Sequence, residues 1–79
     1  MEVEVRAHAN IKDLIRNYPD KGVLKVYLLE QATLGDLFKA LNVPAKQVDL
    51  VIINGKCAHE DTVLNNGNLI EFFPLLSGG

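Results

Sequence analysis

The chain has 79 residues, of which 48% are hydrophobic and 23% charged, a composition typical of one small globular domain rather than of a disordered segment. Eight Lys and Arg against ten Asp and Glu give a net charge of −2, and because the two signs are interspersed, nucleic acid is excluded as an expected partner. The single cysteine, Cys57, excludes an internal disulfide, and no Cys/His spacing predicts a metal site.

The first predicted element is a strand over residues 2–8. Val3, Val5 and Ala7 alternate with charged or polar residues, which is the period-two pattern of a strand with one buried face. This charged start is unlike a secretory signal, and no later run approaches the roughly 18 apolar residues of a membrane span. We therefore expect a cytoplasmic protein with no membrane partner.

A short helical turn over 11–15 and a strand over 23–29, rich in β-branched and aromatic residues, precede the clearest helix, at 33–42. Its apolar residues recur at helical spacing: Leu34, Leu37, Phe38 and Leu41. Thr33 is a favourable N-cap, and the negative charge of Asp36 three residues later favours the positive start of the helix.

The second half of the chain is predicted to be mostly strand. The continuous apolar run LVIIN, at 50–54, predicts a central strand buried on both faces. A turn at Gly55 leads to a short strand over 57–59, followed by one helical turn over 61–64 and a tight turn over 65–68. The last strand, LIEFF, occupies 69–73. This element order predicts an α+β domain with one sheet and one main helix.

The last strand continues into an unusual terminus. Pro74 has no N–H, so ladder pairing should weaken there and the segment LLSGG should leave the sheet. Alternation places Ile70 and Phe72 on one face of the strand and Phe73 on the other. If the first face meets the helix, Phe73 is a large apolar group on the open face of the sheet, close to the terminal glycines.

With these elements in this order, the chain resembles the MoaD/ThiS family of small sulfur carriers, which have the ubiquitin-like β-grasp fold. The segments that carry the resemblance are the opening strand, the helix TLGDLFKAL, then VIINGK, DTVLNNGNLIEFFP and the tail LLSGG. The resemblance implies a single β-grasp domain over 1–79, with a mixed sheet of four to five strands packed on one main helix. It also implies that 75–79 form a flexible C-terminal tail.

In this family, as the resemblance implies, a partner enzyme uses ATP to adenylate the C-terminal carboxylate, here that of Gly79, and a sulfur donor then displaces AMP to leave a thiocarboxylate. The protein is then a carrier and not an enzyme, such as the small subunit of a molybdopterin synthase. Its implied partners are an adenylating enzyme of the ubiquitin-activating type, the sulfur donor and a cofactor-synthase subunit. No cofactor is expected to bind stably, and ATP is used by the partner.

The resemblance assigns Gly79 and Gly78 to the reacting terminus and Phe73, Pro74, Leu75 and Leu76 to partner binding. The segment FFP favours molybdenum-cofactor biosynthesis, whereas Leu75, in place of a second proline, leaves thiamine biosynthesis open. Two other functions remain open from the sequence: a ubiquitin-like modifier conjugated to lysines through Gly79, and a plain interaction domain. Three polar residues that invite catalytic roles, Cys57, His8 and His59, are interpreted as an inert thiol and two surface histidines.

Overall fold

The computed structural model describes residues 1–75, which form a five-stranded mixed sheet in the order β2-β1-β5-β3-β4. The strands are β1 (Glu2–Ala7), β2 (Leu24–Tyr27), β3 (Val48–Ile53), β4 (Lys56–Cys57) and β5 (Leu69–Pro74), and the α-helix is α1 (Leu34–Leu41). β1 and β5 run parallel at the centre, whereas every other neighbouring pair is antiparallel. The predicted α+β class, a ubiquitin-like β-grasp with one main helix, is confirmed.

Two short 3-10 helices, Ala9–Leu14 and Ala45–Gln47, complete the elements of the described residues. The first confirms the turn predicted near Ile11. The helical turn predicted over 61–64 is wrong, because Val63 lies in extended backbone and forms a bridge with Thr33. Of the predicted flexible tail, only Leu75 falls within the described residues.

The start of α1 is held by a reciprocal capping box. The Thr33 hydroxyl accepts a hydrogen bond from the Asp36 backbone N–H at 3.2 Å, and the Asp36 carboxylate accepts one from the Thr33 backbone N–H at 2.9 Å. Asp36 thus occupies the N3 position of the capping box, where Glu or Gln is usual. At the other end, Asn42 takes the left-handed conformation, with φ of 56°, and ends the helix.

The core lies between α1 and the inner face of the sheet. β1 contributes Val3 and Val5, β5 contributes Ile70 and Phe72, and α1 contributes Leu34, Leu37 and Phe38. The rings of Phe38 and Phe72 meet with their centroids 5.3 Å apart, in a tilted arrangement favoured by the quadrupoles of both rings. The helix is therefore packed against the central strand of the sheet.

The turn before β5 is tied to β1 by its own polar groups. The Asn66 side chain accepts a hydrogen bond from the Glu2 backbone N–H at 2.7 Å, and the Gly67 N–H donates to the Glu2 carbonyl at the same distance. Gly67 has φ of 85°, a conformation that costs a side-chain-bearing residue free energy. The buried Asn68 side chain caps the Asn65 N–H. This turn sets the register of β5 beside β1.

The two adjacent phenylalanines of β5 should differ sharply in their effect on stability. Phe72 is fully buried, so Phe72→Ala should lower the free energy of unfolding by about 3 to 5 kcal/mol through lost burial and a residual cavity. Phe73→Ala, the matched control on the opposite face, should cost less than about 1.5 kcal/mol. Urea unfolding of both variants measures the difference, and equal losses would contradict this division of the strand.

The capping box predicts a pH-dependent contribution to stability. Hydrogen bonds from Thr33 hold the pKa of Asp36 below the ordinary value of 3.8. A carboxyl whose pKa is lowered by folding stabilises the protein above its unfolded pKa, and this contribution is lost as pH falls through the folded pKa. The stability difference between the protein and Asp36→Asn should therefore be largest at neutral pH and vanish in strong acid. Thermal unfolding across that range tests this, and a pH-independent difference would contradict it.

Candidate functional site

The sheet face opposite α1, called here the open face, is not covered by any described element. Residues paired across strands share a face of the sheet. Glu71 pairs with Arg6 on one side and Ile52 on the other, and Phe73 pairs with Leu50. The expected alternation on β5 is confirmed, since Ile70 and Phe72 are buried on the inner face and Phe73 is half-buried on the open face.

A β-bulge in β3 turns a leucine towards the open face. Val48 pairs with Pro74 and Leu50 pairs with Phe73, so Asp49 is one extra residue on the β3 side of the ladder. Val48 and Val51 are consequently both buried, whereas Leu50 is 39% exposed. The prediction that this run is buried on both faces is therefore wrong, since Leu50 is exposed and Ile52 is only half-buried, because α1 covers only the opposite face of the sheet.

These residues form a continuous apolar area where β5 ends. We call it the docking patch and define it as Leu50, Ile52 and Phe73 on the open face, together with Leu75 just beyond the strand. Leu75 is 65% exposed, and it follows the last residue that pairs with β3, Pro74. The chain thus leaves the sheet directly beside the patch.

A histidine lies against the aromatic member of the patch. The ring of His8 stacks on the ring of Phe73 with centroids 4.4 Å apart and an interplanar angle of 8°. Its Nε2 lies 3.0 Å from Oε2 of Glu71, the neighbouring open-face residue of β5. Because an imidazole N–H donates to a carboxylate in both the neutral and the charged ring, this contact fixes the ring orientation. His8 lies at the surface, as the sequence predicts, and it is held there by contacts with Phe73 and Glu71.

The far end of the open face, away from the tail, has a polar character. Glu2 pairs with Tyr27, and Glu4 pairs with Lys25. A hydrogen bond to Glu2, together with the charge of that carboxylate, raises the pKa of the exposed Tyr27 phenol. The open face thus changes from polar at the start of β1 to apolar at the end of β5.

The described residues bring together only part of the predicted site. Phe73, Pro74 and Leu75 lie consecutively at the end of β5, as the sequence indicates. Leu76, Gly78 and Gly79 lie outside the described residues. Sequence reasoning missed Leu50, Ile52, His8 and Glu71. The only sequence signal is that His8 and Glu71 fall on the outward positions of their two predicted strands.

No catalytic arrangement is evident within residues 1–75. Cys57 is exposed and is paired with Ile52, whose other neighbour is Glu71. Two strand spacings of about 4.8 Å put the thiol roughly 10 Å from the His8–Glu71 pair, beyond hydrogen-bond reach. Over the same residues, no cluster of His, Cys, Asp and Glu has the geometry to hold a metal ion. In that part of the chain no helix is long and apolar enough to span a membrane.

Comparison with known proteins gives the same fold. A family model described as Mut7-C ubiquitin matches residues 1–77. SAMP1 from Haloferax volcanii has a similar structure, with a TM-score of 0.73 and 20% identity over 100% of both chains. A putative molybdopterin converting factor, subunit 1, from Pyrococcus furiosus has a TM-score of 0.71 and 20% identity, covering 95% of this chain and 98% of its own. No curated protein matches significantly in sequence.

Proposed function

The chain belongs to the Mut7-C ubiquitin family, and we propose that it is a sulfur carrier whose Gly79 carboxylate is adenylated by a partner enzyme and converted to a thiocarboxylate. The observation that carries this proposal is the position of the docking patch. An apolar area on an otherwise polar sheet face suits protein docking, and β5 ends beside it, so docking brings the following residues to the partner.

The chemistry requires activation by that partner. A free α-carboxylate has a pKa of about 3.3 to 3.7, so at neutral pH it is an anion and a poor acyl electrophile. Attack of one carboxylate oxygen on the α-phosphorus of ATP forms the acyl-adenylate and releases pyrophosphate. A sulfide-level sulfur nucleophile then attacks the acyl carbon and forms the C–S bond, while the C–O bond breaks and AMP leaves with its electron pair.

The residues after Pro74 suit delivery of this carboxylate. The five residues after β5, 75–79, span at most roughly 18 Å at about 3.3 to 3.6 Å per residue, enough to reach a nucleotide inside a partner that is docked on the sheet. Gly78 and Gly79 carry no Cβ that would obstruct a narrow channel. The residues after Pro74 therefore carry the reacting group to the partner, whereas the docking patch supplies the binding energy.

The proposed destination of the sulfur is molybdenum-cofactor biosynthesis. The FFP segment favours it, and one structural neighbour is a putative molybdopterin converting factor subunit. The proposed partners are an adenylating enzyme, a sulfur donor and a cofactor-synthase subunit, with thiamine biosynthesis as the alternative destination. The carrier itself needs no bound cofactor in this scheme, since ATP binds to the adenylating enzyme.

A second candidate is a protein modifier joined to lysine side chains through Gly79. The ubiquitin description of the family favours it, and the adenylation step is common to both functions. The two differ in what attacks the activated carbon, which is a sulfur nucleophile for a carrier and a lysine amine for a modifier. Immunoblots of native cells separate them, because a modifier gives a ladder of larger conjugates and a carrier gives one band.

Intact-mass spectrometry tests the proposed chemistry. The protein isolated from native cells should have Gly79 as its last residue. Incubation with ATP, sulfide and the adenylating enzyme of the same cell should exchange one oxygen for sulfur, and fragmentation should locate the sulfur at Gly79. A mass that stays unchanged, or a native protein that continues past Gly79, would contradict the carrier proposal.

Deletion of Gly79 should separate function from folding. The buried apolar residues of the described chain lie between Val3 and Phe72, so the deletion should leave the free energy of unfolding unchanged within about 0.5 kcal/mol. Thiocarboxylate formation should disappear, because the new terminal carboxylate stops about 3.5 Å short of the nucleotide. Urea unfolding and intact mass measure the two effects. Retained thiocarboxylate formation would show that Gly79 is not the reacting residue.

A further inference from the structure

The stack of His8 on Phe73 links two elements that are distant in sequence at the point where the tail begins. His8 follows the last residue of β1, and its backbone N–H donates to the Phe72 carbonyl at 3.0 Å. This hydrogen bond extends the β1–β5 ladder by one residue and places the imidazole over Phe73. The Glu71 carboxylate holds the other edge of the ring through Nε2.

The cluster restrains a side chain that otherwise has freedom to rotate. Phe73 is only half-buried, and it lies on the sheet face opposite α1. Ordering a side chain on binding costs about 0.5 to 1.5 kcal/mol. A ring that is already held in one rotamer avoids this cost at the moment of docking. His8 is itself held from two sides, with 35% of its side chain exposed.

We propose that His8 is a positioning residue for docking: it presents Phe73 in one fixed rotamer to an apolar pocket of the adenylating enzyme. The inference rests on the proposed function, since it takes the docking patch as the surface that this enzyme binds. The enzyme's pocket carries an Arg or Lys at its rim. That cation faces Glu71, whose Oε2 is bound by His8 and which makes no ion pair with its β1 neighbour, Arg6, within the described residues.

Steady-state kinetics with the full-length carrier as variable substrate test the role of His8. With sulfide present as the sulfur nucleophile, His8→Ala should raise the KM for the carrier in ATP-dependent AMP release by about threefold to tenfold, because the rotamer cost returns. The kcat should stay unchanged, because the proposed role of His8 is complete once the carrier is bound. His8→Phe, which keeps a flat ring on Phe73, should restore most of the affinity. His59→Ala, the same change at an exposed histidine, is the matched control and should have no effect.

A double-mutant cycle distinguishes positioning from a separate contact. If His8 acts through Phe73, then His8→Ala should raise the KM no further in a Phe73→Ala background. An unchanged KM for His8→Ala alone, or an equal increase in both backgrounds, would overturn the inference. The substitution Glu71→Lys, which repels the proposed rim cation, should raise the KM further than Glu71→Gln does. Equal increases in KM would contradict the presence of a cation at the rim of the pocket.

A measurement on the free carrier separates this inference from the proposed function. NMR couplings of the Phe73 β-protons should report one χ1 rotamer in the unmodified protein and in His8→Phe, and averaged rotamers in His8→Ala. Averaged couplings in the unmodified protein would overturn the positioning role even if thiocarboxylate forms. A single rotamer that is lost in His8→Ala, with no thiocarboxylate formed by any variant, would instead leave the positioning of Phe73 intact and refute the carrier function.

Discussion

The parallel pairing of β1 with β5 determines which side chains of the sheet face the helix and which face outwards. β5 lies between β1 and β3 and is hydrogen-bonded on both sides. Its register beside β1 is set by the Asn66–Asn68 turn, whose side chains and backbone bind the start of β1. A shift of one residue would exchange the two faces of β5 and put Phe73 in the core and Phe72 on the open face.

This register places the two faces of β5 in different environments. The inner face supplies Ile70 and Phe72 to the core against α1, and so contributes to the free energy of folding. The outer face supplies Glu71 and Phe73 to the open face, where both contact His8. The same strand ends beside the docking patch, so the fold sets the distance between this patch and the residues that follow. In the proposed function, stability and docking depend on alternate residues of one strand and can be changed separately.

The sequence predicts those parts of the fold in which local periodicity agrees with the tertiary environment. The alternation around Val3 and Val5, the helical spacing from Leu34 and the alternation of β5 all match the structure. The exposure of Leu50 was not predictable, because an uninterrupted apolar run carries no sign of which of its residues face outwards. The helical turn predicted over 61–64 does not form, because Val63 pairs with Thr33 in an antiparallel bridge.

The candidate site was predictable only where it lies on β5. Phe73 follows from alternation, whereas His8 and Glu71 are 63 residues apart and meet only because the strands are parallel neighbours. Leu50 joins the patch through a change of register that depends on pairing with Phe73. Such contacts arise from topology, so no local pattern in the sequence indicates them. The assignments of Leu76, Gly78 and Gly79 rest on the sequence alone and stay predictions.

In the proposed function, the adenylating enzyme binds the open face beside the end of β5. Cross-saturation NMR identifies the bound surface, with the methyl-labelled carrier bound to the unlabelled enzyme. We expect strong intensity losses for the methyl groups of Leu50, Ile52 and Leu75, and none for those of Leu34 and Leu37, on the buried side of α1. Losses confined to the helical side, at Ala40 and Ala45 for example, with the docking patch unaffected, would contradict it.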